Sequence, residues 1–261
     1  MKKVIDHVNR TITYSFPPKR IISLAPAITN TMYSLNLEKE IVGRTRFCIH
    51  PQNKVEQAIN IGGTKDIKLD RIKELKPDLV IAEKEENTKE IVEELEKHFP
   101  LFVFEIQTVE DAYVMMTDLG TIVNRQDEAA RLVKQIKKSF INLPQLQGKK
   151  VAYVIWKRPY MVVGDNTYIQ SLLEKMGFIN PFKKFSGRYP EVTIEDLQKA
   201  NIDYIFLATE PYPFRNKDIE ITAKLLPGVQ PMIIDGEMFW YGVKMLDAGP
   251  YFTNSFKHLL K

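Results

Sequence analysis

Hydrophobic and polar positions follow two different patterns within the segment LDRIKELKPDLVIA, residues 69–82. Leu69, Ile72 and Leu75 recur every three residues between charged side chains, which is typical of an amphipathic helix. Pro77 lacks a backbone N–H and pushes the preceding residue out of the α region, so the helix ends there. The continuous apolar run LVIA then predicts a parallel strand that is covered on both faces. The segment is therefore a tight αβ joint, the second half of a βαβ layer.

A similar pattern returns in the segment IEDLQKANIDYIFLA, residues 194–208, after a shift of 125 positions (194 − 69). The shift places Leu69 on Ile194 and Asp70 on Glu195, and it superimposes the two apolar runs. Joints of this kind look alike in any α/β protein. The match by itself is therefore only weak evidence of a duplicated lobe.

Comparable patterns predict alternating strands and helices along the rest of the chain, which indicates a parallel α/β architecture. The predicted strands are residues 10–16, 20–26, 40–47, 79–82, 100–106, 151–156, 204–208 and 231–235. The predicted helices are residues 27–37, 69–76, 87–99, 108–123, 125–143, 167–178, 193–200, a segment near 218–226 and a last helix after Ala248.

The helix predicted at residues 125–143 has acids near its start and lysines near its end, as the helix dipole favours. Pro144 follows it, and the strand–loop–helix pattern then restarts without a Gly/Ser-rich linker. The sequence therefore predicts an N-terminal α/β lobe over residues 1–124, a connecting backbone helix over 125–143, and a C-terminal α/β lobe over 144–261. We expect a ligand cleft between the lobes, because small-molecule sites commonly lie there.

The composition, 44% hydrophobic and 27% charged, is that of an ordinary globular protein with an ample core. The net charge of +4 comes from 37 basic and 33 acidic residues without a basic tract, which argues against nucleic-acid binding. The single cysteine, Cys48, excludes an internal disulfide, and no apolar run reaches transmembrane length. The first twenty residues have neither the apolar segment nor the cleavage site of a signal peptide.

Motifs of the common enzyme classes are missing, including the Walker A, G-x-G-x-x-G and G-x-S-x-G sequences. Cys48 and His50 would share one face of a strand, which would suit a catalytic Cys–His pair or a metal clip. A buried thiol beside a loop histidine is the simpler interpretation. The other histidines, His7, His98 and His258, are scattered and show no zinc-site spacing.

Aromatic and cationic residues are concentrated in loops at the ends of predicted strands. We expect half of the rings to be core, but rings and guanidinium groups on Pro/Gly-rich loops are poor core material. They suit a large, flat, partly anionic ligand held by stacking and cation–π contacts. These loop residues are Arg44, Arg46, Phe47, His50, Lys65, Trp156, Lys157, Arg158, Tyr160, Arg188, Tyr189, Tyr212, Phe214, Arg215, Trp240, Tyr241 and Lys244.

Three stretches, PPKRIISLAPAIT, IVGRTRF and IGGTKDIKLDRIKELKPDLVIA, resemble the helical-backbone substrate-binding proteins of ABC importers for ferric siderophores and cobalamin, the class III periplasmic binding proteins. The resemblance covers essentially the whole chain. It implies two α/β lobes on one long helix, with the ligand in the cleft and little closure. It also implies a monomer without catalytic activity or intrinsic cofactor. The implied partners are a metal chelate and an ABC permease dimer with its ATPase.

The resemblance implies ligand contacts at Pro26 and Ala27, at the aromatic and basic cleft positions, and at Glu83. Thr64 and Glu83 match positions that are tryptophan in cobalamin receptors, and this difference, with the cationic loops, favours a ferric siderophore over cobalamin. Glu237 lies near the ligand-contacting position of Lys244. Together with the loop residues above, the predicted ligand-binding set is Pro26, Ala27, Arg46, Phe47, His50, Lys65, Glu83, Trp156, Arg158, Tyr160, Arg188, Tyr189, Tyr212, Trp240 and Lys244.

Asp70 and Glu195 are predicted to dock on the permease, because family members present an acid at the top of each lobe to arginines of that partner. Their coincidence in the 125-residue shift would let a two-fold permease hold both lobes alike. The alternative is that each acid simply stabilises the N-terminus of its helix.

Two further hypotheses stay open at the level of sequence. The protein is expected outside the cytoplasmic membrane if a signal segment was removed, and in the cytoplasm if Met1 is the native start. A cytoplasmic corrinoid or metal-chelate carrier, or an enzyme or metallochaperone using Cys48, His50 or Glu83, is then the alternative. A receptor for bare zinc or manganese is disfavoured, because histidines are scarce.

Overall fold

The computed structural model describes residues 1–260, and the chain divides into two compact units. Unit 1 comprises Met1–Ile106 and Glu110–Gln135, and unit 2 comprises Gln107–Val109 and Ile136–Lys261. Each unit contains its own five-stranded sheet with helices packed on it. The predicted α/β fold class is thus confirmed. The predicted lobe boundaries of 1–124, 125–143 and 144–261 stay predictions.

Unit 1 is built from two sheets, a short hairpin and a parallel sheet. Its strands are β1 (Lys2–Ile5), β2 (Thr11–Tyr14), β3 (Ile21–Ser23), β4 (Ile41–Arg44), β5 (Ile59–Asn60), β6 (Leu79–Glu83) and β7 (Leu101–Phe104). Its first helices are α1 (Pro26–Ser34), α2 (Leu69–Leu75) and α3 (Lys89–Glu96), with a 3-10 turn at Val55–Gln57. The parallel sheet has the order β5–β4–β3–β6–β7.

The strands β3, β6 and β7 of this parallel sheet are buried along their whole length. Val80 and Ala82 of β6 and Ile22 of β3 are fully buried in one apolar cluster with Ile72 of α2. A fully buried aliphatic side chain stabilises the fold by roughly 1.5–3 kcal/mol, so these continuous apolar runs set the position of the sheet.

The N-terminal hairpin of β1 and β2 is fastened to β7 by a buried carboxylate. Asp6 is 4% exposed and accepts backbone N–H bonds from Val8 (3.1 Å), Arg10 (2.8 Å) and Val103 (3.2 Å). The Arg10 guanidinium also contacts Asp6 Oδ2 at 2.7 Å. β1 was not predicted from the sequence, since its alternation is short and its residues are half-buried or exposed.

Unit 2 is built on one mixed sheet with the order β10–β9–β8–β11–β12. Its strands are β8 (Val151–Trp156), β9 (Tyr160–Val162), β10 (Glu191–Val192), β11 (Tyr204–Ala208) and β12 (Gln230–Ile234). Its helices are α6 (Tyr168–Lys175), α7 (Ile194–Lys199), α8 (Asn216–Leu225) and α9 (Met245–Ser255), with 3-10 turns at Pro181–Lys184, Gly236–Phe239, Gly242–Lys244 and Lys257–Leu260. β8, β11 and β12 are parallel, whereas β9 is antiparallel to both β8 and β10.

Two helices lie between the sheet-forming parts of the chain, α4 (Val109–Val123) and α5 (Gln126–Ser139). The boundary between the units falls within α5, after Gln135. α5 ends at Ser139, four residues before the end of the helix predicted at residues 125–143, and residues 140–142 form a turn. Within residues 1–260, no helix combines the length and the apolar character needed to cross a membrane.

Three elements of unit 2 differ from the prediction. β9 and β10 lie in segments that read as loops, because two or three residues carry too little pattern to identify a strand. α9 begins at Met245 rather than after Ala248, since it continues directly from the 3-10 turn Gly242–Lys244 and buries Met245 and Phe252.

The αβ joint at residues 69–82 occurs twice in the structure, with matching strand bounds. β6 spans Leu79–Glu83 and β11 spans Tyr204–Ala208, which is again a shift of 125 positions (204 − 79). Lys76 and Asn201, equivalent in this shift, are both left-handed, with φ of 45° and 49°. A left-handed residue at the end of a helix reverses the chain at once, so the strand follows without a loop.

Candidate ligand-binding loops

The candidate residues of unit 1 are brought together at one edge of its parallel sheet. In open α/β sheets, ligands bind outside the carboxyl ends of the strands. We use the term carboxyl edge for the side of each sheet at which β3 (unit 1) or β8 (unit 2), and the strands parallel to it, have their carboxyl ends. In unit 1 it carries the predicted site residues that follow β3, β4, β5 and β6, namely Pro26, Ala27, Arg46, Phe47, His50, Lys65 and Glu83.

Phe47 is an exposed ring on the loop after β4, with 49% of its surface accessible. The Arg46 guanidinium lies over this ring at 4.9 Å from its centroid. Arg46 Nη1 also donates to Asp66 Oδ2 at 2.8 Å, and this bond holds the pKa of Asp66 below its ordinary value. The positive charge of Arg46 is thus already shared with a carboxylate, while the ring is open to solvent.

A glycine turn lets this ion pair lie close to the backbone. Gly62 has φ of +110°, and its carbonyl accepts the Arg46 N–H at 2.7 Å. A Cβ atom on Gly63 would lie 2.0 Å from Asp66 Oδ1 and 2.9 Å from Arg46 Nη2. The two glycines therefore shape the Arg46–Asp66 pair.

Glu83, the last residue of β6, is buried with only 2% of its surface exposed. Its Oε2 accepts the backbone N–H groups of Glu85 at 2.8 Å and Glu86 at 2.9 Å. Burial raises the pKa of Glu83 to about 8, and the neighbouring charges of Glu85 and Glu86 add to the effect. The carboxyl group thus organises the loop after β6 and is largely protonated at neutral pH.

Glu86, one of two further acids in this loop, is half-buried, and its pKa is raised to about 7. Burial is again the main cause; Glu85 raises the pKa further and Lys65 lowers it. Pro26 and Ala27 of α1 are buried as well. This part of the edge therefore consists of packed loop supports, with Lys65 as an exposed cation beside them.

Cys48 has the surroundings of a structural thiol. Its Sγ lies 3.1 Å from Thr29 Oγ1 and 3.2 Å from Thr45 Oγ1, and 1% of the residue is exposed. Burial raises the pKa of the thiol, whereas a nucleophilic cysteine needs a lowered one. This arrangement favours the buried-thiol interpretation of Cys48. His50 beside it is half-buried.

Unit 2 presents its candidate residues on three loops at its own carboxyl edge. Because β9 is antiparallel to β8, the turn between them puts both Trp156 and Tyr160 at this edge. The loop after β11 adds Tyr212, and the turns after β12 add Trp240 and Lys244. Sequence reasoning placed these residues on strand ends, and the structure agrees with that placement.

A row of rings runs from the core of unit 2 to its surface. Phe214 is 3% exposed and lies 4.6 Å from Tyr212, measured between ring centroids. Tyr212 in turn meets Trp156 edge-on at 5.7 Å, and Trp156 is 40% exposed. Phe214 is therefore core, as expected for part of this set, and Trp156 is its exposed end.

Two cationic groups of this edge, Lys244 and Lys157, are paired with acids. Lys244 Nζ contacts Glu237 Oε2 at 2.7 Å. Lys157 Nζ contacts Asp218 Oδ1 at 2.7 Å, and this hydrogen bond raises the pKa of Lys157. Arg158 is exposed on the turn, in a left-handed conformation with φ of 70°.

Glu210 was missed by sequence reasoning, since a glutamate before a proline carries no motif. Its Oε1 accepts the indole N–H of Trp240. Tyr212, two residues along the same loop, contacts Trp156. The loop after β11 therefore contacts both tryptophans of the chain.

The structure places Arg188 and Tyr189 differently from the other candidates. β9 runs from Tyr160 at the carboxyl edge toward Val162, and the Gly164 N–H beyond it donates to the Arg188 carbonyl at 2.8 Å. The backbone of Arg188 and Tyr189 thus lies further from the edge than that of Tyr160. Both side chains are half-buried.

The two predicted docking acids occupy equivalent places in their units. Asp70 lies in the first turn of α2 and Glu195 in the first turn of α7, and both are exposed. Glu195 forms an ion pair with Lys199 at 2.7 Å one turn further along. Across the part of the chain that the structure describes, no three His, Cys, Asp or Glu side chains group so as to hold a metal ion.

Comparisons with known proteins agree with this architecture. The chain is 26% identical to the vitamin B12-binding protein of Vibrio campbellii over 195 residues, which cover 73% of this chain and 70% of that protein. The structure of the periplasmic vitamin B12-binding protein BtuF of Vibrio cholerae is similar in fold, with a TM-score of 0.80 and 20% identity over 95% of this chain and 100% of that one.

The structure of the petrobactin-binding protein YclQ of Bacillus subtilis has a TM-score of 0.81 and 15% identity, over 100% of this chain and 98% of that one. These structural likenesses show a shared fold. The family model described as "Periplasmic binding protein" matches residues 21–225, well over half of the 261 residues. The chain therefore belongs to the periplasmic binding protein family.

Proposed function

We propose that this protein is the substrate-binding protein of an ABC importer and that it binds a metal chelate, a ferric siderophore or cobalamin. The observation that carries the proposal is that each unit has an exposed ring at the carboxyl end of a strand. Phe47 lies under the Arg46 guanidinium in unit 1, and Trp156 lies against Tyr212 in unit 2. Family membership supports the same function, as do the names of a vitamin B12-binding relative and a petrobactin-binding structural neighbour.

The proposed chemistry is non-covalent binding by a largely preformed site. In each unit an exposed ring, Phe47 or Trp156, offers a face on which flat conjugated groups of a chelate can stack, and an exposed cation, Lys65 or Arg158, attracts carboxylates or phosphates. Arg46, already paired with Asp66, can share its charge with an anionic chelate. These cations are the reason that we favour a ferric siderophore over cobalamin.

The proposal assigns no catalytic residue. The alternative is an enzyme that uses Cys48 and His50. It gains no support from the buried Cys48 thiol, because burial raises its pKa and its sulfur is hydrogen-bonded to the hydroxyl groups of Thr29 and Thr45. Family membership supports the location: we infer a binding protein that acts outside the cytoplasmic membrane, as a periplasmic or surface-attached partner of its permease.

Calorimetric titration with ferric petrobactin, ferric citrate, hemin and cyanocobalamin tests the ligand class. We expect at least one chelate to bind, and Trp156→Ala to weaken that binding about tenfold, equivalent to about 1.4 kcal/mol of lost stacking. Phe185→Leu is the matched control. Phe185 is 40% exposed, like Trp156, but it lies on the segment that precedes β10, away from the carboxyl edge of unit 2. Binding of none of the four chelates would contradict the proposal.

The permease is proposed to contact Asp70 and Glu195. Replacing both with alanine should reduce chelate uptake in cells while leaving the affinity measured by calorimetry unchanged. Exposed ion pairs contribute little individually, so we expect the double variant to show a larger effect than either single variant. Normal uptake by the double variant would contradict this assignment.

A further inference from the structure

The buried side chain of Asn87 connects three separate loops at the carboxyl edge of unit 1. Asn87 is 4% exposed. Its Oδ1 accepts the N–H of Glu83 at 2.9 Å, and its Nδ2 donates to the carbonyls of Thr64 at 3.0 Å and Leu24 at 3.3 Å. The amide thus uses its acceptor and both of its donor hydrogens on backbone groups from three different loops.

Each bonded backbone group lies beside residues of the proposed site. Leu24 is the residue between β3 and the Ala25 cap of α1, which begins with Pro26. Thr64 precedes Lys65 on the loop between β5 and α2. Glu83 ends β6. A rotation or loss of this one amide would therefore release three groups of candidate contacts together.

Only asparagine meets these requirements at position 87. Aspartate has the same shape and the acceptor but lacks both donors, and its charge would face two carbonyl oxygens. Glutamine is one methylene longer in a site that is fully buried. A buried carbonyl left without its donor carries a desolvation cost of about 1–3 kcal/mol, so the loops would have to move to regain hydrogen bonds with water.

We propose that Asn87 is a positioning residue that sets the mutual arrangement of the three carboxyl-end loops of unit 1 and, through them, the affinity for the ligand. The effect on affinity rests on the proposed function. The ordering of the loops does not, so the two can be tested apart.

Backbone hydrogen exchange in the ligand-free protein tests the ordering. The amides of Gly63, Glu85 and Glu86 are hydrogen-bonded within the three-loop region and serve as reporters, together with the Leu24 N–H, which donates to the Ile81 carbonyl. In Asn87→Asp we expect exchange to rise about tenfold or more on all three loops together. Asn87→Ala, which introduces no buried charge, provides a second variant if the first does not fold.

Asp6→Asn is the matched control, because Asp6 is a buried side chain of the same unit that also holds several backbone N–H groups. It should raise exchange around the N-terminal hairpin and β7, and leave the three loops unchanged at a comparable loss of stability. An Asn87 variant whose extra exchange is confined to residues 83–88, or spread evenly over unit 1, would overturn the proposal.

Calorimetry with the chelate that binds the unaltered protein most tightly, among ferric petrobactin, ferric citrate, hemin and cyanocobalamin, tests the effect on affinity. Asn87→Asp should weaken binding about tenfold or more, and Asp6→Asn less than twofold. Equal affinities for the Asn87 variant and the unaltered protein would refute the positioning role while leaving the proposed function intact. If the unaltered protein binds none of these probes, the proposed function fails, and the exchange data still decide whether Asn87 orders the loops.

Discussion

The two sheets have the same strand order but differ in the direction of one strand, β9, and the turn that leads into β9 decides how unit 2 presents its site residues. In unit 1, β3 is followed by helix α1 and then by the parallel strand β4; in unit 2, β8 is followed by a three-residue turn and the antiparallel strand β9. Parallel neighbours need a crossover connection, whereas a short turn can join only antiparallel strands.

This difference changes which side chains reach solvent at the carboxyl edge. In unit 2 the tight turn presents Trp156 and Arg158, both exposed. In unit 1 the corresponding strand leads into α1, whose first residues Pro26 and Ala27 are buried. The exposed ring of unit 1 is instead Phe47, on the next loop. In this protein the helix start buries Pro26 and Ala27, whereas the hairpin turn exposes Trp156 and Arg158.

The αβ joints on the other side of the central strand are nearly identical. Asp78 donates its N–H to the Arg20 carbonyl, and Asp203 donates its N–H to the Lys150 carbonyl, both at 2.9 Å. The loops that follow then differ again. Position 87 corresponds to Tyr212 in the 125-residue shift, so a buried amide in unit 1 is replaced by a half-buried ring in unit 2.

The largest expected effect comes from Glu83. In the 125-residue shift this buried acid corresponds to Ala208 of unit 2, which cannot titrate. The pKa of Glu83 rises on folding from its ordinary value of 4.5 to about 8, so the folded state binds the proton more tightly. The stability from this group is present below pH 4.5 and is lost as pH rises through 8. We expect Glu83→Gln to be more stable than the unaltered protein by roughly 1–3 kcal/mol at pH 8.5 and similar to it near pH 4.5.

Urea denaturation at both pH values measures this difference. Glutamine preserves the oxygen that accepts the N–H groups of Glu85 and Glu86, so the loop should stay in place. Glu86, whose pKa is about 7, retains its own part of the pH dependence in the variant. A difference between variant and unaltered protein that does not change with pH would show that Glu83 does not titrate as described.

A smaller effect distinguishes the two joints. Asp78 accepts the N–H of Lys19 at 2.7 Å and that of Arg20 at 3.0 Å, while Asp203 accepts only that of Lys150, at 2.7 Å, among the described residues. At about 1 kcal/mol per bond, Asp78→Ala should lower the free energy of unfolding by about 2 kcal/mol and Asp203→Ala by about 1. Urea denaturation of both variants checks this order. An equal or larger loss in Asp203→Ala would mean that the second bond of Asp78 contributes nothing.

The smallest effect concerns the left-handed residues that end α2 and α7. Lys76 has φ of 45° and Asn201 has φ of 49°, and asparagine tolerates this conformation better than lysine. Lys76→Gly should therefore stabilise the protein by roughly 0.5–1 kcal/mol and Asn201→Gly by less. Thermal unfolding of the two variants measures the difference. A stabilisation of Asn201→Gly that exceeds that of Lys76→Gly would contradict the explanation.

The sequence by itself determined the fold class and most element positions, because these depend on local pattern. The apolar run after Pro77 specified β6, and its repeat at residues 204–208 specified β11 with the same bounds. Strand positions followed from the same patterns, but two predicted strand ends were wrong: β3 ends at Ser23 rather than at residue 26, and β4 ends at Arg44 rather than at residue 47. Short strands such as β9 were missed, since pairing with β8 rather than composition defines them.

Only the tertiary structure decided which candidate groups are open to a ligand and which are occupied. Lys244 and Arg46 look in the sequence like free cations, but each forms an ion pair. Lys244 contacts Glu237, seven positions before it, and Arg46 contacts Asp66, twenty positions after it. Nothing in the sequence around Glu83 indicates that the side chain is buried or that burial raises its pKa. Asn87 likewise belongs to no motif, although its amide forms hydrogen bonds with backbone groups of three segments. Pairing and burial depend on residues distant along the chain, and no local pattern records which of those distant residues will meet.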